Sequence, residues 1–333
     1  MKRCVTILAL TACLLALVPF PVMAQAPRVT DIKVSYAAPS FTYAAMFVAT
    51  DKGLFRKHGV NPELIFAPGA QSVQAVASGD AQINTAAAID LAAVRLAGAD
   101  IVTVAALLET LGFMMVTRPE VGSVKELKGK TGGDLGPATA LRMAGVMILE
   151  SEGVAYTDVT YGPIGGFPVM LQALKAGRID FTMIGSPWDV EANRMGLKVI
   201  ADSAKLPLPK FMLLGVNVQR KYLAANRDVV VGFVKGLVEG VRYCLANREE
   251  SKQIVGRWLK LTDQEVLESG YRYYVPLYKE YPEPTAEGIK SALDFMARFP
   301  RVYGVQAAGA DPAAFMDLSV VEELGRQGFI RRR

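Results

Sequence analysis

The sequence predicts an α/β protein of two lobes, in which each lobe is a doubly wound, mostly parallel sheet with helices on both faces. A length of 333 residues is enough for about two domains. Short apolar strands alternate with short helices along much of the chain, which is typical of parallel sheets. One such strand–helix pattern occurs twice, which predicts two lobes of the same construction.

The repeat is clearest in two stretches that end in glycine. Residues 74–79 recur 98 residues later at 172–177, with identical residues at the first, second and last positions. The same offset relates the turns that precede the first helix of each unit. We therefore interpret residues 31–117 and 129–215 as two copies of one unit. The alternative is that unrelated strand–helix units resemble one another, because glycine ends many helices.

The elements of the first unit follow from its local patterns. Apolar and β-branched runs predict strands, and these lie at residues 31–36, 64–66, 81–84 and 101–106. Helices are predicted between them, the first from Phe41 to about Thr50, with Ser40 as a helix cap. The apolar stretch at 111–117 is predicted to cross into the second lobe.

The second unit repeats this order, and a helical region follows it. Its first helix is expected to start at Pro137, because proline suits the first position of a helix. The stretch at 179–184 predicts a strand, 186–189 a loop, and 211–216 a strand that returns to the first lobe. From Arg227 onward the apolar spacing is helical. The predicted domains are residues 28–116 with 216–330 for lobe 1, and 117–215 for lobe 2.

Composition indicates a folded protein without a nucleic-acid partner. Hydrophobic residues make up 51% of the chain and charged residues 21%, which is ample for two cores. The net charge of +5 is small and the basic residues are scattered, so we expect no nucleic-acid binding. We expect a monomer.

Residues 1–24 have the pattern of a secretory signal peptide. Lys2 and Arg3 are followed by an apolar run from Val5 to Val18, and Val22–Ala24 is a small-residue cleavage site. We therefore expect a periplasmic protein. Cys13 also lies in a sequence that resembles a lipoprotein cleavage box, which is the second interpretation because the apolar run continues past it.

Several short motifs in their order resemble one family. They are Lys52–Phe55, His58-Gly59, Pro68-Gly69, Ala77–Asp80, Gly129–Gly132 and Trp188-Asp189. With the leader, they resemble periplasmic solute-binding proteins of ABC importers in the nitrate/sulfonate/taurine and thiamine-pyrimidine-like group. The resemblance implies the type II periplasmic binding protein fold, one small-molecule ligand between the lobes, an ABC permease as partner and no cofactor.

The resemblance also points to the loops that would hold the ligand. In open α/β sheets, ligands bind beyond the carboxyl ends of the strands, where helix N-termini present free N–H groups. The candidate ligand-binding residues are Ser40, Phe41, Thr42, Tyr43, Gly69, Gln71, Ala88, Asp90, Pro137, Thr139, Gly166, Phe167, Ser186, Trp188 and Asp189. Several have simpler interpretations: Ser40 and Thr139 as helix caps, the glycines as turn residues, and Tyr43 as a packing residue.

Two candidates occupy equivalent positions in the repeat. Asp90 and Trp188 are 98 residues apart, so we expect them to face each other across the cleft as a carboxylate and an aromatic plate. The candidate loops carry Asp90, Asp134 and Asp189, whereas Arg142 is the one nearby base. This balance favours a neutral or partly cationic organic ligand, such as a heterocycle, over an inorganic anion.

Catalysis has little support in the sequence. The chain has one histidine, His58, which we expect in solvent, and it has no cysteine–histidine pattern with metal-ligand spacing. It also lacks a nucleophile elbow and a phosphate-binding loop. We therefore expect a binding protein rather than an enzyme, with no metal. Two alternatives stay open: a pyrimidine-synthesis-type enzyme of the same fold, and a ligand sensor for a signalling receptor.

Overall fold

The predicted α/β architecture is confirmed, with two five-stranded sheets. The computed structural model describes residues 29–332, so the predicted leader and Cys13 lie outside the described residues. The first sheet has the order β2-β1-β3-β10-β4. Its strands are β1 (Thr30–Tyr36), β2 (Val60–Phe66), β3 (Ile83–Ala86), β4 (Ile101–Leu108) and β10 (Leu214–Gln219).

The second sheet has the same construction as the first. Its order is β7-β6-β8-β5-β9, and its strands are β5 (Met114–Thr117), β6 (Thr131–Asp134), β7 (Thr160–Pro163), β8 (Phe181–Ile184) and β9 (Lys198–Asp202). In each sheet the fourth strand in this order, β10 or β5, is antiparallel to both of its neighbours. Strand β8 begins 98 residues after β3, so the repeat in the sequence corresponds to a repeat in the topology.

The antiparallel strand of each sheet comes from the part of the chain that connects the two sheets. The strand that leaves the first unit, β5, pairs in the second sheet, and β10 returns to the first sheet. The sequence analysis divided the lobes between residues 116 and 117, which lies inside β5. The chain passes between the sheets at residues 109–113 and 203–213 instead, and these two passages are joined where the Ser203 amide donates to the Phe113 carbonyl at 2.9 Å.

The helices cover both faces of the two sheets. They are α1 (Ala44–Asp51), α2 (Leu54–Lys57), α3 (Ala70–Ser78), α4 (Ala88–Leu96), α5 (Ala140–Ser151), α6 (Phe167–Lys175), α7 (Trp188–Arg194), α8 (Arg220–Ala225), α9 (Arg227–Ala246), α10 (Arg248–Leu259), α11 (Gln264–Tyr274), α12 (Ala286–Arg298), α13 (Pro300–Tyr303) and α14 (Ser319–Arg326). Two predicted caps are confirmed: Ser40 accepts from the Thr42 amide and Thr139 accepts from the Arg142 amide.

Two predicted element boundaries in the second lobe are wrong. The helix expected to start at Pro137 begins at Ala140, because Thr139 caps it and Pro137 lies in the preceding turn. The stretch expected to be a loop at 186–189 ends earlier, since Trp188 and Asp189 form the first turn of α7. Carboxylates are favourable in a first helical turn because the helix dipole is positive there, which is consistent with Asp189 at this position.

The helical C-terminal region has close contacts with the first lobe. Helix α9 lies directly on α1, where a Cβ atom added to Gly240 would be 2.2 Å from the Ala45 carbonyl oxygen. Strand β4 is an edge strand, but its outer edge is covered because the Ala106 amide donates to the Pro282 carbonyl at 2.8 Å. This cover explains why an edge strand can be a continuous apolar run.

Cys244 and His58 are both packed against other parts of the fold. Cys244 is fully buried in α9, as predicted, and burial raises the pKa of its thiol to about 12. The expectation that His58 lies in solvent is wrong. Its side chain is only 15% exposed, its Nε2 atom lies 3.2 Å from the Glu239 carboxylate, and its ring meets Phe329 edge-on at 5.6 Å.

Candidate ligand-binding cleft

The carboxyl ends of the parallel strands in both sheets lie where the chain passes between the lobes. The passages start after β4 and after β9, at these same strand ends. The loops after the strands therefore form two walls, one from each lobe. Tyr303 interacts electrostatically with both walls. Burial raises the pKa of its phenol most, the Asp90 carboxylate of the first lobe raises this pKa further, and Arg142 of the second lobe lowers it.

The turn after β1 is held together by its own polar side chains. The Ser40 and Thr42 hydroxyls are 2.5 Å apart. The Tyr43 hydroxyl accepts from the Ala37 amide and donates to the Thr85 carbonyl, both at 3.2 Å, so it is already paired within the first lobe. Phe41 is fully buried, and a Cβ atom on Gly270 would be 2.3 Å from its ring.

Asp90 is the charged group of the first wall. It lies in the first turn of α4, beside Gly69 at the start of α3, where an added Cβ atom would be 3.4 Å from the Asp90 Oδ1 atom. Gly69 has φ +50°, a backbone conformation that favours glycine. Of the neighbouring candidates, Gln71 is exposed and Ala88 is fully buried.

The Asp90 carboxyl is poised to change its charge near neutral pH. Burial raises its pKa to about 7, although an interaction with the Ala87 backbone amide opposes this rise. Asp90 is half-buried, and partial loss of solvent disfavours the ionised form of a carboxyl group that has no cationic partner. A solute that donates N–H groups or carries positive charge would therefore gain most from this position, because it would supply the missing partner.

The charged group of the second wall is already neutralised. Arg142 donates from Nε to Asp134, which is fully buried, and from Nη1 to the Tyr156 hydroxyl at 3.2 Å. Its guanidinium also lies over the Tyr161 ring, 3.9 Å from the centroid. Because the charge of Arg142 is matched by Asp134, the two walls together carry an excess of negative charge when Asp90 is ionised.

Aromatic side chains form another part of the second wall. Phe167 and Trp188 are half-buried neighbours with ring centroids 6.2 Å apart. Gly166 caps α6 and is exposed, as is Pro137. Trp188 and Tyr273 of α11 both pack against the smaller buried cluster of the second lobe. The expected arrangement of Trp188 opposite Asp90 stays a prediction.

Two candidates of the second lobe contact α11. The Ser186 and Ser269 hydroxyls are 3.0 Å apart, and Ser269 also donates to Asp189 Oδ2 at 2.7 Å. The other carboxylate oxygen of Asp189 is buried without a hydrogen-bond partner. Ser186 and Asp189 therefore connect the second lobe to the C-terminal helices, a contact that the repeat could not predict because α11 lies outside both units.

Tyr303 was missed by the sequence analysis. It lies at the end of α13, and its hydroxyl oxygen is buried without a hydrogen-bond partner. Its pKa depends on Asp90 and Arg142, one on each wall. No motif or repeat marks it, since the C-terminal region has no second copy in the chain.

A separate surface depression lies at the opposite end of the first sheet. It has a volume of about 330 Å³ and is lined by residues such as Val76, Gln82, Gln219 and Tyr222. Gln82 precedes β3, so this depression is at the amino end of that strand and away from the two walls. We assign it no role, because its lining includes no charged group except Lys221.

The remaining features of the described chain concern metals and membranes. Within residues 29–332, no group of three or more His, Cys, Asp or Glu side chains is placed to hold a metal ion. Across that same part of the chain, every helix is too short or too polar to span a bilayer.

Comparison with known structures identifies the class of fold. The chain is similar to the aliphatic sulphonate binding protein SsuA of Escherichia coli, with a TM-score of 0.71, 17% identity, and coverage of 86% of this chain and 92% of that chain. It is equally similar to the nitrate-binding protein NrtA of Synechocystis PCC 6803, with a TM-score of 0.71, 15% identity, and coverage of 91% and 90%. The protein thus has the periplasmic binding protein fold.

The family follows from the sequence match. Residues 40–251 match the model of the NMT1/THI5 like family. A Bacillus subtilis protein, YtlA, which is named as a candidate binding protein, is 22% identical over 274 residues and covers 78% of this chain and 80% of its own length. The chain belongs to the NMT1/THI5-like family, which confirms the resemblance found in its motifs.

Proposed function

We propose that this protein is the periplasmic solute-binding component of an ABC importer. It captures one small organic molecule between its lobes and delivers it to the permease. The observation that carries the proposal is the pair of strand-end walls, with a poised carboxyl at Asp90 on one side and the neutralised Arg142–Asp134 pair on the other. The names of SsuA and NrtA, a sulphonate and a nitrate binder, support the class.

The proposed ligand is a flat molecule with N–H donors, neutral or cationic. Among residues 29–332, Asp90 has no basic partner, whereas Arg142 is paired with Asp134 and is not available to balance an anion. Phe167 and Trp188 offer aromatic surface on the second wall. A few polar groups in a largely apolar pocket are typical of small-molecule sites, and stacking adds roughly 0.5–1.5 kcal/mol beyond burial.

In this mechanism, binding holds the lobes together. A solute bound to Asp90 on one wall and to the aromatic surface of the other bridges the two lobes. The closed state is favoured by the difference in affinity between the open and closed forms. The passages at residues 109–113 and 203–213 are where the hinge would lie, because the flanking residues are fixed in the sheets.

The ligand class is tested by a binding screen. We would measure thermal stability and calorimetric binding with 4-aminopyrimidine, benzamidine, benzoate, ethanesulfonate and nitrate. A solute at 100 times its dissociation constant stabilises the folded state by about 2.7 kcal/mol, which shifts the melting temperature by several degrees. We expect this shift with the two N–H donors. A shift with ethanesulfonate or nitrate alone would contradict the ligand class.

Transport rather than sensing or catalysis is tested in cells. A strain that lacks this protein should lose uptake of the radiolabelled solute, and the purified protein should return the solute chemically unchanged. Retained uptake with a lost transcriptional response would favour the sensor, and a converted solute would favour the enzyme. His58 lies beside Glu239 on α9, outside the two walls, which supports binding over catalysis.

Export is part of the proposal. The leader at residues 1–24 predicts a mature protein that begins at Gln25 in the periplasm. Mass spectrometry of protein from the native envelope checks this start. A lipidated start at Cys13 would indicate a tethered protein, and an intact Met1 would contradict export.

A further inference from the structure

The segment at residues 298–304 connects the two lobes outside the chain passages. It comprises the last residue of α12, the short helix α13 and Gly304, whose φ of +66° ends that helix. We call it the C-terminal latch. It lies in the region that the sequence analysis assigned to lobe 1, but several of its contacts are with lobe 2.

Helix α12 packs on α4 of the first lobe, and its amino end is held at the start of the passage that follows β4. Glu109, which directly follows β4 and is buried, accepts from the Thr285 amide at 2.7 Å and from the Thr285 hydroxyl at 2.9 Å. Its other carboxylate oxygen accepts from Lys279 Nζ at 2.6 Å. A helix of 13 residues is about 20 Å long. The far end of α12 can therefore reach the second lobe from a fixed base.

The other end of α12 contacts the second lobe. Arg298 makes a two-fold ion pair with Glu150 of α5, with N–O distances of 2.9 and 2.5 Å. The next residue, Phe299, meets Tyr156 edge-on with ring centroids 5.1 Å apart. Tyr156 also accepts from Arg142, so the latch contacts the same side chain that supports the charged group of the second wall.

The latch also places a polar atom between the walls. The Tyr303 hydroxyl oxygen is buried and has no hydrogen-bond partner among the described residues. Burial raises its pKa, which Asp90 on one wall raises further and Arg142 on the other lowers. A buried hydroxyl without a partner is unfavourable. A solute between the walls would supply that partner.

We propose that residues 298–304 are an interlobe latch, which holds the second lobe against the first on the side of α5 and biases the cleft toward closure before a solute binds. This inference rests on the proposed function for its purpose, but its mechanical claim concerns the protein alone. The bias is modest, because an exposed ion pair contributes little free energy. Loss of Arg298 should lower the ratio of closed to open molecules about fivefold, which corresponds to a free-energy difference of about 1 kcal/mol.

The test measures the distance between the lobes without a solute. Gln74 and Gln172 are exposed and occupy equivalent positions on α3 and α6, so cysteines placed there carry one spin label on each lobe. Cys4 and Cys13 are replaced by serine, and Cys244 is buried and unreactive. The protein is unfolded and refolded first, to remove any bound solute. Pulsed electron paramagnetic resonance then gives the distribution of distances between the two labels.

We expect Arg298→Ala and Glu150→Ala each to move population from the short to the long distances. The charge-swapped pair, Arg298→Glu with Glu150→Arg, should restore part of the short population. Lys290→Ala is the matched control, because it removes an ion pair of 2.6 Å within α12 that does not cross between lobes.

Two results would overturn the latch. One is an unchanged distribution in both Arg298→Ala and Glu150→Ala, and the other is an equal shift in Lys290→Ala. Because no solute is present, this outcome does not depend on the binding screen. A screen in which nothing binds would contradict the proposed function and leave the distance measurement valid.

Discussion

At the scale of single residues, Asp90 links stability to pH. Its carboxyl has a pKa of about 7 in the folded protein because it is buried, against about 3.9 in an unfolded chain. The folded state therefore binds the extra proton between these values, so this group's contribution to stability is full below pH 4 and is lost as the pH rises through 7.

Asp90→Asn should remove this dependence. The amide stays neutral, so the variant should melt at a higher temperature than the unmodified protein at pH 8, and the difference should shrink at pH 5. Calorimetry at the two pH values measures both. An identical dependence on pH in the two proteins would show that Asp90 does not titrate in this range.

Trp188 belongs to the second wall and should contribute to affinity. Trp188→Ala removes its aromatic surface next to Phe167, so the affinity for the solute found in the screen should fall about tenfold, which is about 1.4 kcal/mol. Trp258→Ala is the control, since Trp258 stacks on Phe47 in the first lobe. Unchanged affinity with a large drop in melting temperature would make Trp188 a packing residue.

The hydroxyl of Tyr303 should contribute to affinity, because a solute between the walls would supply the partner that it lacks among the described residues. Tyr303→Phe keeps the ring and removes the unpaired oxygen, so affinity should fall about five- to tenfold, the effect of one hydrogen bond of roughly 1 kcal/mol. Tyr161→Phe is matched to it, because the Tyr161 hydroxyl is also buried and unpaired but lies against Gly145 inside the second lobe. Equal affinities in both variants would remove Tyr303 from the site.

At the scale of elements, the close contact of α9 with α1 is a strict packing constraint. A Cβ atom on Gly240 would meet backbone, the Ala45 carbonyl oxygen at 2.2 Å, which cannot move away as a side chain can. Gly240→Ala should therefore lower the free energy of unfolding by about 1–3 kcal/mol.

Gly325 in α14 provides the control for that substitution. An added Cβ atom there has the Tyr281 hydroxyl as its nearest contact, at 3.7 Å. Alanine is the better helix former, so Gly325→Ala should raise stability by roughly 0.5–1 kcal/mol. Denaturant unfolding measures both changes. Equal effects of the two substitutions would show that the close contact between α9 and α1 does not require glycine at position 240.

At the scale of the whole molecule, binding should make the protein more compact. The two lobes are joined by passages at residues 109–113 and 203–213 and by the latch, so closure would rotate one sheet against the other with little change inside each. Small-angle X-ray scattering should show a smaller radius of gyration with saturating solute. An unchanged radius, with binding confirmed by calorimetry, would exclude closure by rotation.

The sequence by itself determined the α/β class, the repeated unit and the order of strands and helices within it, although several boundaries differ, such as the start of β2, expected at Leu64 and found at Val60. Alternating strands, terminal glycines and caps such as Thr139 are local signals, because each depends on residues within a few positions. The repeat then predicted that β3 and β8 occupy equivalent places in their sheets.

Only the tertiary structure decided which candidate side chains face the cleft and which are used elsewhere. Phe41 is buried against Gly270, and Ser186 and Asp189 contact Ser269, although all three follow strands as ligand-binding residues would. Their partners lie 80 or more residues away in α11, which has no counterpart in the repeat. No local pattern encodes such contacts, since they depend on how α11 and α12 pack across both lobes.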